Sequence, residues 1–163
     1  MIDSGVFQMK TARQLFGKLL SDYKRLQGAP ANSELWFNFL VTADHLPEWQ
    51  LGGDEDAARE LRKKHALLRV CHYLAVNAKH FKAREPKPKA GLVELYPVAR
   101  TTEVYIDRLN GPDPSPQRAQ AQLEFYLELS MLEATELGVT ELSALDLAGR
   151  LVDFWREYLA GRG

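Results

Sequence analysis

The chain reads as a mainly helical α+β fold. Three N-terminal helices and a C-terminal helix are expected to pack as a bundle, with a small antiparallel sheet of about three strands. Three observations predict this. Apolar residues recur at helical spacing from Leu15 to Phe81, and again from Leu145 to Leu159. Between those blocks the composition turns to Val, Leu, Tyr, Ile and Thr, which suit a pleated surface. The 163 residues are 45% apolar and 26% charged, enough for one cored domain without disulfide staples. A single domain follows, with a helical core over 8–84, strands within 91–130 and C-terminal helices over 131–160.

From Thr11 to Gln27 the residues Leu15, Phe16, Leu19, Leu20, Tyr23 and Leu26 mark a clean helical stripe, which Gly28-Ala29-Pro30 ends. Asn32 or Ser33 can cap the next helix, Glu34 to Leu46, which is apolar nearly all round and therefore buried on more than one side. Among its few polar residues, Asn38, Thr42 and His45 recur at i, i+4 and i+7 and form a seam. Asn38 and Thr42 read as hydrogen-bonded structural residues. His45 stands beside Leu46-Pro47, where the helix is expected to break, and is a functional candidate.

The central stretch opens at Asp54, a helix cap followed by Glu55 and Asp56 in the first turn. One helix of about seven turns is expected from there to Pro86, given the rise and turn of an α-helix. Leu67, Val70, Cys71, Leu74, Ala75, Ala78 and Phe81 share its dry face; Arg62, His65, Arg69, His72, Tyr73, Val76 and His80 share the other. Between Arg62 and Lys89 nine lysines or arginines meet one acid, Glu85. His65, His72 and His80 are spaced by two turns, roughly 10–12 Å, too far apart for one zinc, whose ligand nitrogens lie at about 2 Å. No metal or other cofactor is expected.

After a linker over 86–91, strands are expected at Leu92 to Val98, Thr102 to Leu109 and Leu123 to Ser130, the last from its alternation of Leu and Phe with Glu and Tyr. The Pro-rich run from Asn110 to Pro116 is a loop. Met131 to Leu137 is a short helical turn that Gly138 ends, and Ser143 with Asp146 opens the last helix. There Leu145, Ala148, Leu151, Val152, Trp155, Tyr158 and Leu159 form the core stripe.

The net charge is −1, yet it is segregated: from Ala119 onward eight acids face three arginines. That pattern predicts an anionic ligand on the basic side or self-association between unlike surfaces. The one cysteine, Cys71, allows no internal disulfide and fits a reducing compartment. No basic-then-apolar leader and no apolar run near the roughly 20 residues of a bilayer span is seen, so a cytoplasmic protein without membrane attachment is expected. Gly-rich phosphate loops, nucleophile elbows and paired-cysteine metal signatures are absent.

The string Leu68-Arg69-Val70-Cys71-His72-Tyr73-Leu74-Ala75-Val76-Asn77-Ala78-Lys79-His80-Phe81, taken with Thr42-Ala43-Asp44-His45-Leu46-Pro47-Glu48-Trp49, resembles a group of bacterial and prophage proteins. That group is similar to the HEPN class of helical bundles, which includes toxin and phage-defence ribonucleases as well as non-catalytic binding members. The resemblance covers about residues 33–84. The family's catalytic pattern, an arginine followed by four to six residues and a histidine, falls here on Arg59 and His65; no arginine stands at that distance before His80. The resemblance implies a domain acting on RNA, in its active form a metal-independent ribonuclease. Such cleavage needs a base for the 2′-hydroxyl and a cation for the phosphorane. His80 is the candidate base, Lys79 or Arg69 the phosphate-stabilising cation, Asn77 the orienting group and His45 the complementary acid.

The other reading is a non-catalytic interaction module whose basic face, with Tyr73 interleaved, holds nucleic acid or an acidic protein, or pairs with a second copy as a homodimer. Pairing of Arg62, Arg69 and Lys79 with Glu124, Glu128 or Glu157 inside the chain weakens any nucleic-acid role. Convergence of His45, Asn77 and His80 in one cleft strengthens catalysis.

Overall fold

A computed structural model describes residues 9–79, 100–106 and 122–161. Helix α1, Ala12–Gly28, opens with a capping box in which the Thr11 hydroxyl accepts from the Gln14 amide and the Gln14 side chain accepts from the Thr11 amide. Helix α2, Ser33–Gln50, is capped by Asn32, whose side chain accepts from the Glu34 and Leu35 amides. It does not break at Leu46-Pro47 as expected. Pro47 removes one amide donor, but its ring is buried and its carbonyl still accepts from Leu51 at 3.1 Å. The chain leaves the helix only at Leu51, and Gly52 and Gly53 follow at positive φ.

The single seven-turn helix expected from Asp54 is instead two helices, so four rather than three precede the sheet. Helix α3, Glu55–Lys64, has the Asp54 cap on the Ala57 amide. Helix α4, Ala66–Lys79, follows after one extended residue, His65, at φ −131° and ψ 115°. The His65 amide bonds the Arg62 carbonyl and closes α3, while its own carbonyl accepts from Leu68 and Arg69 and opens α4. The amide of Ala66, left without a helical partner, is taken by Glu136 Oε1 at 2.7 Å. The His65 ring meets Phe154 edge-on at 4.9 Å. These partners are remote in sequence, and helical periodicity carries no trace of them.

Strands β1, Arg100–Ile106, and β2, Gln122–Glu128, pair antiparallel from Arg100↔Glu128 to Ile106↔Gln122. They fall within a few residues of the strands expected at 102–109 and 123–130; the one expected at 92–98 lies outside the described residues. Helix α5, Met131–Leu137, stops at Gly138, left-handed at φ 71°. A three-residue strand β3, Glu141–Ser143, then joins the free edge of β2 and was not expected from the sequence. Helix α6, Ala144–Ala160, starts with the Ser143 hydroxyl accepting from the Asp146 amide.

Helices α1, α2, α4 and α6 close into a four-membered ring of neighbours, each antiparallel to the next. Leu19, Leu26, Phe39, Val70, Leu151 and Trp155 fill its centre. Each such fully buried leucine contributes about 2 kcal/mol of transfer free energy. Between α6 and α1 a side chain at Gly149 would place its Cβ 3.1 Å from the Tyr23 hydroxyl, a close contact that the tyrosine would have to relieve by a small shift. No helix among the described residues is long and apolar enough to cross a membrane.

Candidate functional site

Where α2, α3 and α4 meet, five polar side chains form a continuous chain of contacts. Asp44 is 5% exposed, on the inner edge of α2. Its Oδ1 lies 2.8 Å from Nδ1 of His72 on α4 and 3.4 Å from Nε of Arg62 on α3. Arg62, itself mostly buried, donates Nη2–H to the Asp44 carbonyl at 2.8 Å and to Glu48 Oε1 at 3.1 Å. The other oxygen of Glu48, one turn along α2, lies 3.3 Å from Nδ1 of His45. Both imidazoles are more than two-fifths exposed at the side chain.

The electrostatics set the state of those rings. An ionised carboxylate can only accept, so a neutral imidazole bonded to it through Nδ1 carries its proton there. Nε2 of each ring then keeps a lone pair. Arg62 supplies the positive charge that compensates the buried Asp44 carboxylate, and it also pairs with the one-third-exposed Glu48. Two oriented rings of this kind can act as a base and an acid.

A second network ties α4 to α5. Arg69 donates Nε–H to Glu133 Oε1 at 2.9 Å, Nη2–H to Glu136 Oε2 at 2.7 Å and Nη1–H to the Lys63 carbonyl at 2.6 Å. Glu133 is 1% exposed and also accepts from the Ser130 hydroxyl. Burial pulls the Arg69 guanidinium down, but Glu136 and Glu133 outweigh it and hold it above its ordinary range. Burial pushes the Glu136 carboxyl up, and the Ala66 amide with Arg69 more than reverses that, leaving it below the ordinary range. Between α1 and α2, Lys18 donates to Asp22 and to the Thr42 hydroxyl, so Thr42 is a structural residue.

The expected site residues fall in different places. His45 belongs to the α2–α3–α4 network. Arg69 is committed to Glu133 and Glu136, acids of the C-terminal half, though not the Glu124, Glu128 or Glu157 considered above. Asn77 lines an open, mostly apolar cavity of about 780 Å3 with Asn38, Phe37, Leu74 and Leu147. His80 lies outside the described residues, as does the side chain of Lys79. Arg59 turns to Asp56 at 3.0 Å and His65 to Phe154, so neither is drawn into a common site.

Sequence reasoning placed Arg62 and His72 on a basic face but did not join them to Asp44 and Glu48. The available signal was Asp44 itself, an acid between Ala43 and Leu46 in a mainly apolar stretch of helix. Among the described residues no group of three or more His, Cys, Asp or Glu is placed to hold a metal ion. Comparison with protein families, with curated proteins and with solved structures gives no match to this chain.

Proposed function

We propose that the chain is a HEPN-like helical domain that acts on RNA by metal-independent proton transfer, with His72 and His45 as its working imidazoles. One observation carries the reading: two solvent-facing rings, each held at Nδ1 by a carboxylate, with the two carboxylates bridged by Arg62. His72 takes the proton of a ribose 2′-hydroxyl as that oxygen attacks the neighbouring phosphorus. The bond from phosphorus to the 5′-oxygen breaks, and protonated His45 donates to the departing oxygen. The products are a 2′,3′-cyclic phosphate and a 5′-hydroxyl. Asp44 and Glu48 orient the rings through Nδ1. The competing candidates from the sequence are His80, Asn77 and Lys79, of which His80 and the side chain of Lys79 lie outside the described residues.

A second reading, a non-catalytic interaction module, is favoured by the pairing of Arg59, Arg62, Lys63 and Arg69 with acids of their own chain. Among the described residues these four cations are then not free to neutralise phosphate, and the chain would instead bind a protein, a second copy of itself included. RNA cleavage in EDTA by wild type and by His72→Ala, His45→Ala and His80→Ala separates the readings.

A further inference from the structure

We propose that the open cavity at the start of α2 is a binding site for a small organic cation, a molecule with an aromatic or aliphatic body and one ammonium group. The cavity holds about 780 Å3, within the roughly 300–1,000 Å3 of small-molecule sites. Its lining shares no residue with the chain of contacts from His72 to His45, so it is independent of the function proposed above. Leu40, Leu127 and Leu147 are almost fully buried and floor it from α2, β2 and α6. Phe37, 42% exposed, forms part of its rim. An apolar body seated between floor and rim would cover that ring.

The polar groups choose the rest of the ligand. Glu34, Asn38 and Asn77 line the cavity, and their side chains have no hydrogen bond or ion pair among the described residues. Glu34 precedes Phe37 by three residues and Asn38 by four, so the three are neighbours on one face of α2. Asn77 reaches the same space from α4. Among the described residues Glu34 is the only charged one in the lining, and no lysine, arginine or histidine shares it. The positive helix ends do not reverse that sign. α2 starts on the Asn32 cap and α6 on the Ser143 cap, with Glu34 and Asp146 in their first turns, so each end already has its own acceptor and its own acid. A carboxylate beside an aromatic ring suits an ammonium ion, through an ion pair and a cation–π contact. A phosphate or carboxylate ligand would meet repulsion there instead. The two neutral carboxamides add hydrogen bonds to either a donor or an acceptor.

The test is a calorimetric titration of the full chain at neutral pH with probes of one shape and different charge: naphthylethylamine, naphthylethanol and naphthylacetic acid. The amine is expected to bind with a dissociation constant on the order of 100 µM, the alcohol about fivefold more weakly and the acid more weakly still. Glu34→Gln is expected to bring the amine down to the level of the alcohol and to leave the alcohol unchanged. Ala78→Trp puts a large ring into the space from an exposed position on α4. It is expected to abolish binding of every probe while the thermal midpoint holds. Equal binding of amine and acid, an amine affinity that Glu34→Gln leaves intact, or binding that survives Ala78→Trp overturns the proposal. So does an amine that fails to bind wild type. If the chain then sediments as a dimer that Ala78→Trp splits, the cavity is an interface between two copies instead.

Discussion

Nδ1 of His72 stands 2.8 Å from Oδ1 of Asp44, joining a half-exposed ring to a buried carboxylate 28 residues earlier in the chain. The carboxylate cannot leave water alone, and Arg62 beside it provides the counter-charge. The junction of α2, α3 and α4 is therefore a structural tie and, in the function proposed above, also the seat of proton transfer. Variants should separate the two roles.

Asp44→Asn keeps the shape but leaves Arg62 facing only Glu48. Urea denaturation should show a loss on the order of 3 kcal/mol, the scale for breaking a buried pair. His72→Ala, which leaves Asp44 and Arg62 together, should cost about 1 kcal/mol or less, as for a partly exposed pair. Equal losses in the two variants would mean that Arg62 does not depend on the Asp44 charge.

Arg69→Met strands Glu133 in the interior with only the Ser130 hydroxyl as partner. A loss of about 3 kcal/mol is expected, the scale for an uncompensated buried charge. The double variant Arg69→Met with Glu133→Leu should recover much of it, because both ions are then gone. A double variant no better than the single one would place the cost in packing instead.

Glu136 gives the fold an acid-sensitive contact. Its folded carboxyl titrates below the ordinary 4.5 because the Ala66 amide and Arg69 outweigh burial. A depressed carboxyl stabilises above its unfolded pKa and loses that stability as pH falls through the folded one. Wild type should therefore lose stability below about pH 4.5 more steeply than Glu136→Gln, read as denaturation midpoint against pH. Parallel curves for the two proteins would remove Glu136 from the linkage.

Gly138 ends α5 in the left-handed region with open space where a Cβ would stand. Gly138→Ala should cost about 1 kcal/mol through backbone strain alone. A neutral result in thermal denaturation would mean the turn can re-form without a positive φ.

Much of this fold is written locally. The Asn32, Asp54 and Ser143 caps, the Gly138 stop and the apolar stripes of α1 and α6 lie within a few residues of what they organise, and they read directly from the chain. The break at His65 does not, because its stabilising partners Glu136 and Phe154 arrive from α5 and α6. The site divides the same way. His45 is visible as a histidine in an apolar helix, while its link to His72 on α4 runs through Glu48 and Asp44 on α2 and Arg62 on α3. Helical spacing brings only His45, Glu48 and Asp44 together; the closing of the bundle adds Arg62 and His72.

The most direct measurement is cleavage of a defined single-stranded RNA in EDTA, with products analysed for 2′,3′-cyclic phosphate ends. Wild type should produce them, and His72→Ala and His45→Ala should each be slower by roughly a hundredfold or more, the scale of losing a general acid or base. Both variants should remain folded. Cleavage that His72→Ala retains and His80→Ala loses would move the chemistry to the end of α4, and no cleavage by folded wild type would contradict the catalytic account altogether.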